Sequence, residues 1–210
     1  MLRTSEEEMV NAYSHLLSSI FSLCAMIIFI IKAPNCIAQL QILTLGGSAT
    51  FAFFASFLYH GSKKEKNRER NRILDRSAIY SMIAGSGIAI SLTNHDHQTA
   101  ALYCSSIILI SSYLIVSYCL KRTESEVQAV VSYVLLGWFC LMPGTGIIGK
   151  TLMTETSGLI WLIVGGVLYS IGVVFYINDN KKWFHTAWHA FVMLGYCAHL
   201  FAHVAANGIY

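Results

Sequence analysis

FAFFASFLYHGSKKEKNRERNRILDRSAIYSMIAGS, residues 51–86, decides how this chain is read. An apolar run ends at His60, the basic stretch KKEKNRERNR fills 63–72, and a second apolar run opens at 74 with Asp75 at its head. The pattern is that of one membrane span, a charged turn, and a second span running back. Composition agrees. Apolar residues make up 55% of the 210 residues and charged residues only 12%, against about 25% charged in an average soluble domain. Mean hydropathy is +0.57. The expected class is an all-α integral membrane protein.

Working outward, a span needs about 20 apolar residues. Segments 12–31, 37–60, 74–93, 99–120, 126–142, 156–178 and 185–206 qualify, the fifth being the shortest. This gives a seven-transmembrane-helix bundle, one domain over 1–210, with short connections that make consecutive helices antiparallel neighbours. Gly85, Gly87, Gly137, Gly165, Gly166 and Gly172 lie within spans, where small residues let helix backbones approach closely. The opening MLRTSEEEMVNAYSH lacks the basic region and small-residue cleavage site of a signal peptide, so the first span is expected to be a retained anchor. Cys24, Cys36, Cys104, Cys119, Cys140 and Cys197 form no CxxC and read as small core residues. Tyr13, Tyr59, Tyr80, Trp183 and Trp188 read as an aromatic belt at the inner interface.

Lysines and arginines set the orientation. With the N-terminus in the cytoplasm, twelve fall inside: Arg3, the six of 63–72, Arg76, Lys121, Arg122, Lys181 and Lys182. Only Lys32 and Lys150 remain outside. The bias agrees with an odd number of spans and puts the C-terminus outside. The basic stretch reads first as a solvated topology determinant and second as a patch for anionic lipid heads.

This topology brings four ionisable groups to one leaflet. His60 ends the second helix at its cytoplasmic end, Asp75 starts the third, and His185 and His189 start the seventh. Nothing in the charge argument requires that coincidence, and ionisable groups within spans usually mark function. His185 and His189 are i,i+4, hence on one helix face about 6 Å apart. Three imidazoles with a carboxylate nearby are a ligand set for zinc, with one position left for water. Asp75 beside a metal stays ionised and can orient or deprotonate that water. Ser56 is i,i+4 to His60 and faces the same cavity. The plainer alternative is that each histidine snorkels to the headgroups.

His199 and His203 form a second i,i+4 pair, at the outer end of the seventh helix, and His95 and His97 flank Asp96 in an outer loop. They could make an outer metal site, but only their shared side of the membrane supports it. His15 starts the first span and reads mainly as structural, with lining of the inner cavity as the alternative. No phosphate loop, nucleophile elbow or haem motif is present, and nothing points to nucleic acid.

These residues resemble the haemolysin III family, the bacterial branch of the progestin and adipoQ receptors, within a wider superfamily of membrane hydrolases that includes alkaline ceramidases. The resemblance rests on Glu7-Glu8 before Asn11 and Ser14-His15, ASFLYH at 55–60, LDRSAIYSMIAGS at 74–86, GGVLYSIGVVFY at 165–176 and HTAWH at 185–189. It spans nearly the whole chain. It implies seven helices with the N-terminus inside, in agreement with the charges, zinc on His60, His185 and His189, and a zinc water held or activated by Asp75 and Ser56. Two positions depart from the family pattern. Arg76 stands where bacterial members often have histidine. Gly85-Ser86-Gly87-Ile88-Ala89 replaces a segment ending in proline, which removes an expected kink.

The first functional expectation is a zinc-dependent hydrolase of lipid amides in a bacterial inner membrane, with membrane lipids as partners and a lipid substrate or free fatty acid inside the bundle. The second is a zinc-stabilised receptor or regulator of membrane state without turnover. A pore-forming haemolysin comes third, disfavoured by the lack of a secretion signal. A zinc or proton transporter comes last, because mid-span polar residues are mainly Ser and Thr. The oligomeric state is left open.

Overall fold

The computed structural model describes residues 4–94, 96–121, 126–140 and 156–209. They form seven α-helices and, among the described residues, no strand. The helices are α1 (Ser5–Lys32), α2 (Cys36–His60), α3 (Glu65–Ser91), α4 (His97–Lys121), α5 (Glu126–Phe139), α6 (Thr156–Tyr176) and α7 (Phe184–Ala206). Each expected run overlaps one helix. Residues 141 and 142 of the fifth run, and Arg3, His95, Arg122 and Lys150, lie outside the described residues.

Five helices, α1, α2, α4, α6 and α7, are long and apolar enough to cross a membrane. The other two differ for separate reasons. α5 has only 14 residues. α3 begins at Glu65, well ahead of the expected start at 74. Lys, Arg and Glu are good helix formers, so the charged stretch continues the helix instead of ending it. The remainder of α3 is rich in Ser, Gly and Ala because it is an inner helix: Ala78, Tyr80, Met82, Gly85, Ser86 and Ala89 are buried. At Gly85 an added Cβ would run into Ser48 and the Thr44 carbonyl of α2. With no proline between Glu65 and Ser91, α3 runs unbroken.

The outward surface is apolar. Ile31 is 77% exposed and Leu120 78%, which suits acyl chains and not water. The interior is built from small residues. Ala38, Ala49, Ala55, Ala78 and Ala89 are fully buried. The largest helix pairings are α6 with α7, α2 with α3, and α1 with α2. α7 also reaches α1 and α2, and α5 touches α3 and α6. Because lipid offers no hydrophobic drive between helices, side-chain hydrogen bonds count. Ser19 Oγ donates to the Thr50 carbonyl at 3.1 Å, and Ser22 Oγ pairs with Tyr196 Oη at 2.8 Å, tying α1 to α2 and α7.

Two expectations fail here. The cysteines are all free thiols, but only Cys140 is buried, while Cys24, Cys36 and Cys119 are exposed among outward apolar residues. A thiol is apolar enough for either side of a helix in lipid. Tyr80 is not a belt residue: it is fully buried, and its hydroxyl lies 2.7 Å from Ser132 Oγ.

Candidate metal centre

The ends of α1, α2 and α7 build the site. Thr4 caps α1 through a capping box: its hydroxyl accepts from the Glu7 N–H at 3.2 Å, and Glu7 Oε2 accepts from the Thr4 N–H at 2.9 Å. Glu7 has a second task. Its Oε1 accepts the backbone N–H of Trp183 at 2.7 Å, across 176 residues of sequence. Trp183 caps α7 in the left-handed region, φ 68°. That backbone costs a non-glycine residue roughly 1–2 kcal/mol, and a charge-assisted hydrogen bond offsets it. Thr186 Oγ1 then donates to Asn11 Oδ1 at 2.6 Å. The first turns of α1 thus set the angle at which α7 presents His185 and His189.

Three imidazoles converge there. Ring centroids are 5.2 Å apart for His60 and His185, 4.9 Å for His60 and His189, and 4.6 Å for His185 and His189. All three residues are buried, and one donor nitrogen from each lies within 4.8 Å of the others, so the group could hold a metal ion. It is the one such group among the described residues. The snorkelling alternative fails, since histidines reaching for headgroups would not be buried against one another.

Carboxylates behind the rings fix their orientation. His60 Nδ1–H donates to Glu8 Oε2 at 2.6 Å, and Arg68 Nη2 donates to Glu8 Oε1 at 2.6 Å. This places the remaining lone pair of His60 on Nε2, which is buried and has no hydrogen-bond partner. A buried imidazole nitrogen left bare while its other nitrogen is anchored to a carboxylate is the arrangement that metal-binding histidines show. His185 Nδ1 lies 3.5 Å from Asp179 Oδ2, a looser version of the same pairing. Burial alone would lower the Arg68 pKa, but Glu8 and Tyr59 together outweigh it and hold the guanidinium above its ordinary value.

Neither Glu8 nor Asp179 was singled out by sequence reasoning as an orienting carboxylate. Glu8 was visible only as part of a motif, and its partner lies 52 residues away. A glutamate within the first turns of an apolar helix was the available signal. His15 is also closer to the site than its structural reading suggested. Its ring stacks on His189 at 3.7 Å and 21°, and it is buried.

The site opens onto a cavity of about 200 Å³ between α2, α3, α5, α6 and α7. Ser56, Asp75, His15, His185 and His189 line it, and His60 stands behind this wall. Ser56 is buried and Asp75 partly so. Trp188 and Tyr59, read from sequence as belt residues, also face the cavity. Arg76, the departure from the family pattern, places its guanidinium over the Tyr118 ring at 5.9 Å. Among the described residues, His97, His199 and His203 do not form a comparable group. His199 and His203 are buried without a third ligand among the described residues. His97 is exposed. Asp96 is occupied at the start of α4, accepting from the Gln98 N–H at 3.1 Å and from Thr99 Oγ1 at 2.5 Å, a bond that holds its carboxyl below the usual range.

The family model described as "Haemolysin-III related" matches residues 3–200. The chain belongs to the haemolysin III family. It is 29% identical to the "Hemolysin-3 homolog" of Bacillus subtilis (strain 168), over 94% of this chain and 93% of that one. It is 27% identical to "Hemolysin-3" of Bacillus cereus, over 93% and 89%. At 24% identity it is also similar to the "Monocyte to macrophage differentiation factor" of Homo sapiens, over 95% of this chain and 84% of the human one. No solved structure matches. As a haemolysin III protein with several apolar helices, it is a multi-pass integral membrane protein.

Proposed function

We propose that this haemolysin III protein is a zinc-dependent hydrolase of lipid amides. It would lie in a bacterial inner membrane with seven spans, the N-terminus inside and the C-terminus outside. The observation that carries the reading is the convergence of His60, His185 and His189 beside a cavity also lined by Ser56 and Asp75. Zinc suits three neutral imidazoles with one position open, and it would lower the pKa of a water to about 7 and polarise an acyl carbonyl. His60, His185 and His189 would hold it, with Glu8 and Asp179 orienting the first two.

The chain's own residues supply the rest. The acyl chain lies in the cavity between the helices, with its carbonyl toward His185 and His189. Asp75 takes the proton of the attacking water as general base and returns it to the leaving amine. Ser56 donates its hydroxyl hydrogen to the developing oxyanion. One amide C–N bond breaks, one C–O bond forms, and the products are a fatty acid and an amine.

A second reading is supported by the donor placement itself. All three histidines lie on α2 and α7, so a metal there would staple those helices in a receptor or regulator without turnover. The deciding assay uses zinc-loaded protein in lipid bilayers against ceramide-like and other N-acyl lipids. Release of free fatty acid that is lost with the metal supports the hydrolase. Zinc binding with no release from any of these lipids supports the staple.

A further inference from the structure

The cavity does not end at the metal centre. It extends along α7 to His199, ten residues beyond His189 and therefore about 15 Å farther along the helix, the extended length of roughly a dozen methylenes. There the apolar wall is interrupted by two polar groups. His199 is only 5% exposed, and neither ring nitrogen makes a hydrogen bond. The Tyr169 hydroxyl of α6 is buried and likewise has no partner. Both residues line the cavity, with their rings edge-to-face at 5.4 Å. The Leu162 carbonyl lies beside His199; even if it took the ring N–H, the other nitrogen would remain a buried acceptor.

The backbone makes room for this pair. A Cβ at Gly165 would run into the His199 ring, and one at Gly195 would meet three atoms of the Tyr169 ring at 2.9 Å. Two glycines, one on each helix, therefore let two polar side chains sit where an apolar residue would fill the space at no cost in hydrogen bonding.

We propose that His199 and Tyr169 form a second polar subsite, which selects long-chain acyl ligands carrying a hydroxyl in mid-chain. A hydroxyl both donates and accepts, matching an imidazole nitrogen beside a phenol. A ligand anchored by its carbonyl or carboxylate at the metal centre reaches this pair at about its twelfth carbon. A plain acyl chain leaves both groups unsatisfied, and that is how a polar pocket discriminates. The inference rests on the reading of the cavity as an acyl-lipid site.

The test compares 12-hydroxyoctadecanoic acid with octadecanoic acid, by calorimetric titration into the full-length zinc-loaded protein. The hydroxy acid should bind about tenfold tighter. Tyr169→Phe removes only the hydroxyl and should erase most of that preference. Gly165→Ala, which displaces His199, should do the same. Equal binding of the two acids to the wild type overturns the subsite alone, as does a preference that survives both substitutions. Binding of neither acid overturns the acyl-lipid reading, and this inference with it.

Discussion

α7 carries the same histidine spacing at both of its ends, and the two ends behave differently. At the N-terminal end, His185 and His189 meet His60 from α2, with Glu8 and Asp179 behind two of the rings. At the C-terminal end, His199 and His203 are as deeply buried, yet at most one of their four ring nitrogens, toward the Leu162 carbonyl, finds a hydrogen-bond partner, and among the described residues no carboxylate orients them. A metal pair needs a third donor and anchors that fix each ring. An i,i+4 spacing supplies neither. Leaving a buried polar group unsatisfied costs about 1–3 kcal/mol, so the C-terminal pair carries a stability cost.

The contrast breaks most completely if the wrong pair holds the metal. Wild-type protein is expected to carry about one zinc per chain. Elemental analysis should find nearly none in His185→Ala/His189→Ala and the full amount in His199→Ala/His203→Ala. The reverse result would move the metal centre to the C-terminal end. A topology measurement tests the same contrast from the membrane side. A reporter fused after Tyr210 should work only in its external form, given the twelve-to-two split of basic residues. Cytoplasmic activity there would put the buried C-terminal pair on the cytoplasmic side.

A smaller effect separates holding a metal from using it. Asp75→Asn should keep most of the zinc, yet lower fatty-acid release by about 10²–10⁴-fold, the usual cost of losing a general base. Ser56→Ala should show a milder loss of the same kind. Undiminished turnover in Asp75→Asn removes the proposed base. The smallest effect sharpens the comparison at its anchor. Glu8→Gln should weaken zinc binding by about 10–100-fold in a chelator competition. Affinity equal to wild type would mean that the carboxylate behind His60 does not distinguish the two ends.

Helices were legible where apolar length alone decides them, as in α1, α2, α4, α6 and α7. The start of α3 was not, because a run such as Glu65–Arg72 reads as solvated loop until its neighbours are known. Arg68 of α3 finds Glu8 of α1 only once both helices have packed against α2. The histidine pair and its third partner were legible because helix period and topology place them at one depth. The ring orientations were not. They depend on Glu8 and on the His15 stack against His189, which are contacts between helices remote in sequence, and on how the turn before α7 sets Asp179 3.5 Å from His185. The cavity's reach to His199 was equally hidden, since it is set by how closely α6 and α7 approach at Gly165 and Gly195.

The bond from Glu7 to the Trp183 backbone also has a meaning for biogenesis. Glu7 leaves the ribosome 176 residues before Trp183. The clasp between them cannot close until α7 has been made and has found α1. The three imidazoles are therefore not brought together during synthesis of the first six helices, however long that takes. Under the proposed metal reading, capture would be a late event that follows the docking of α7. A nascent chain stalled before α7 would present His60 without the two imidazoles that complete the group.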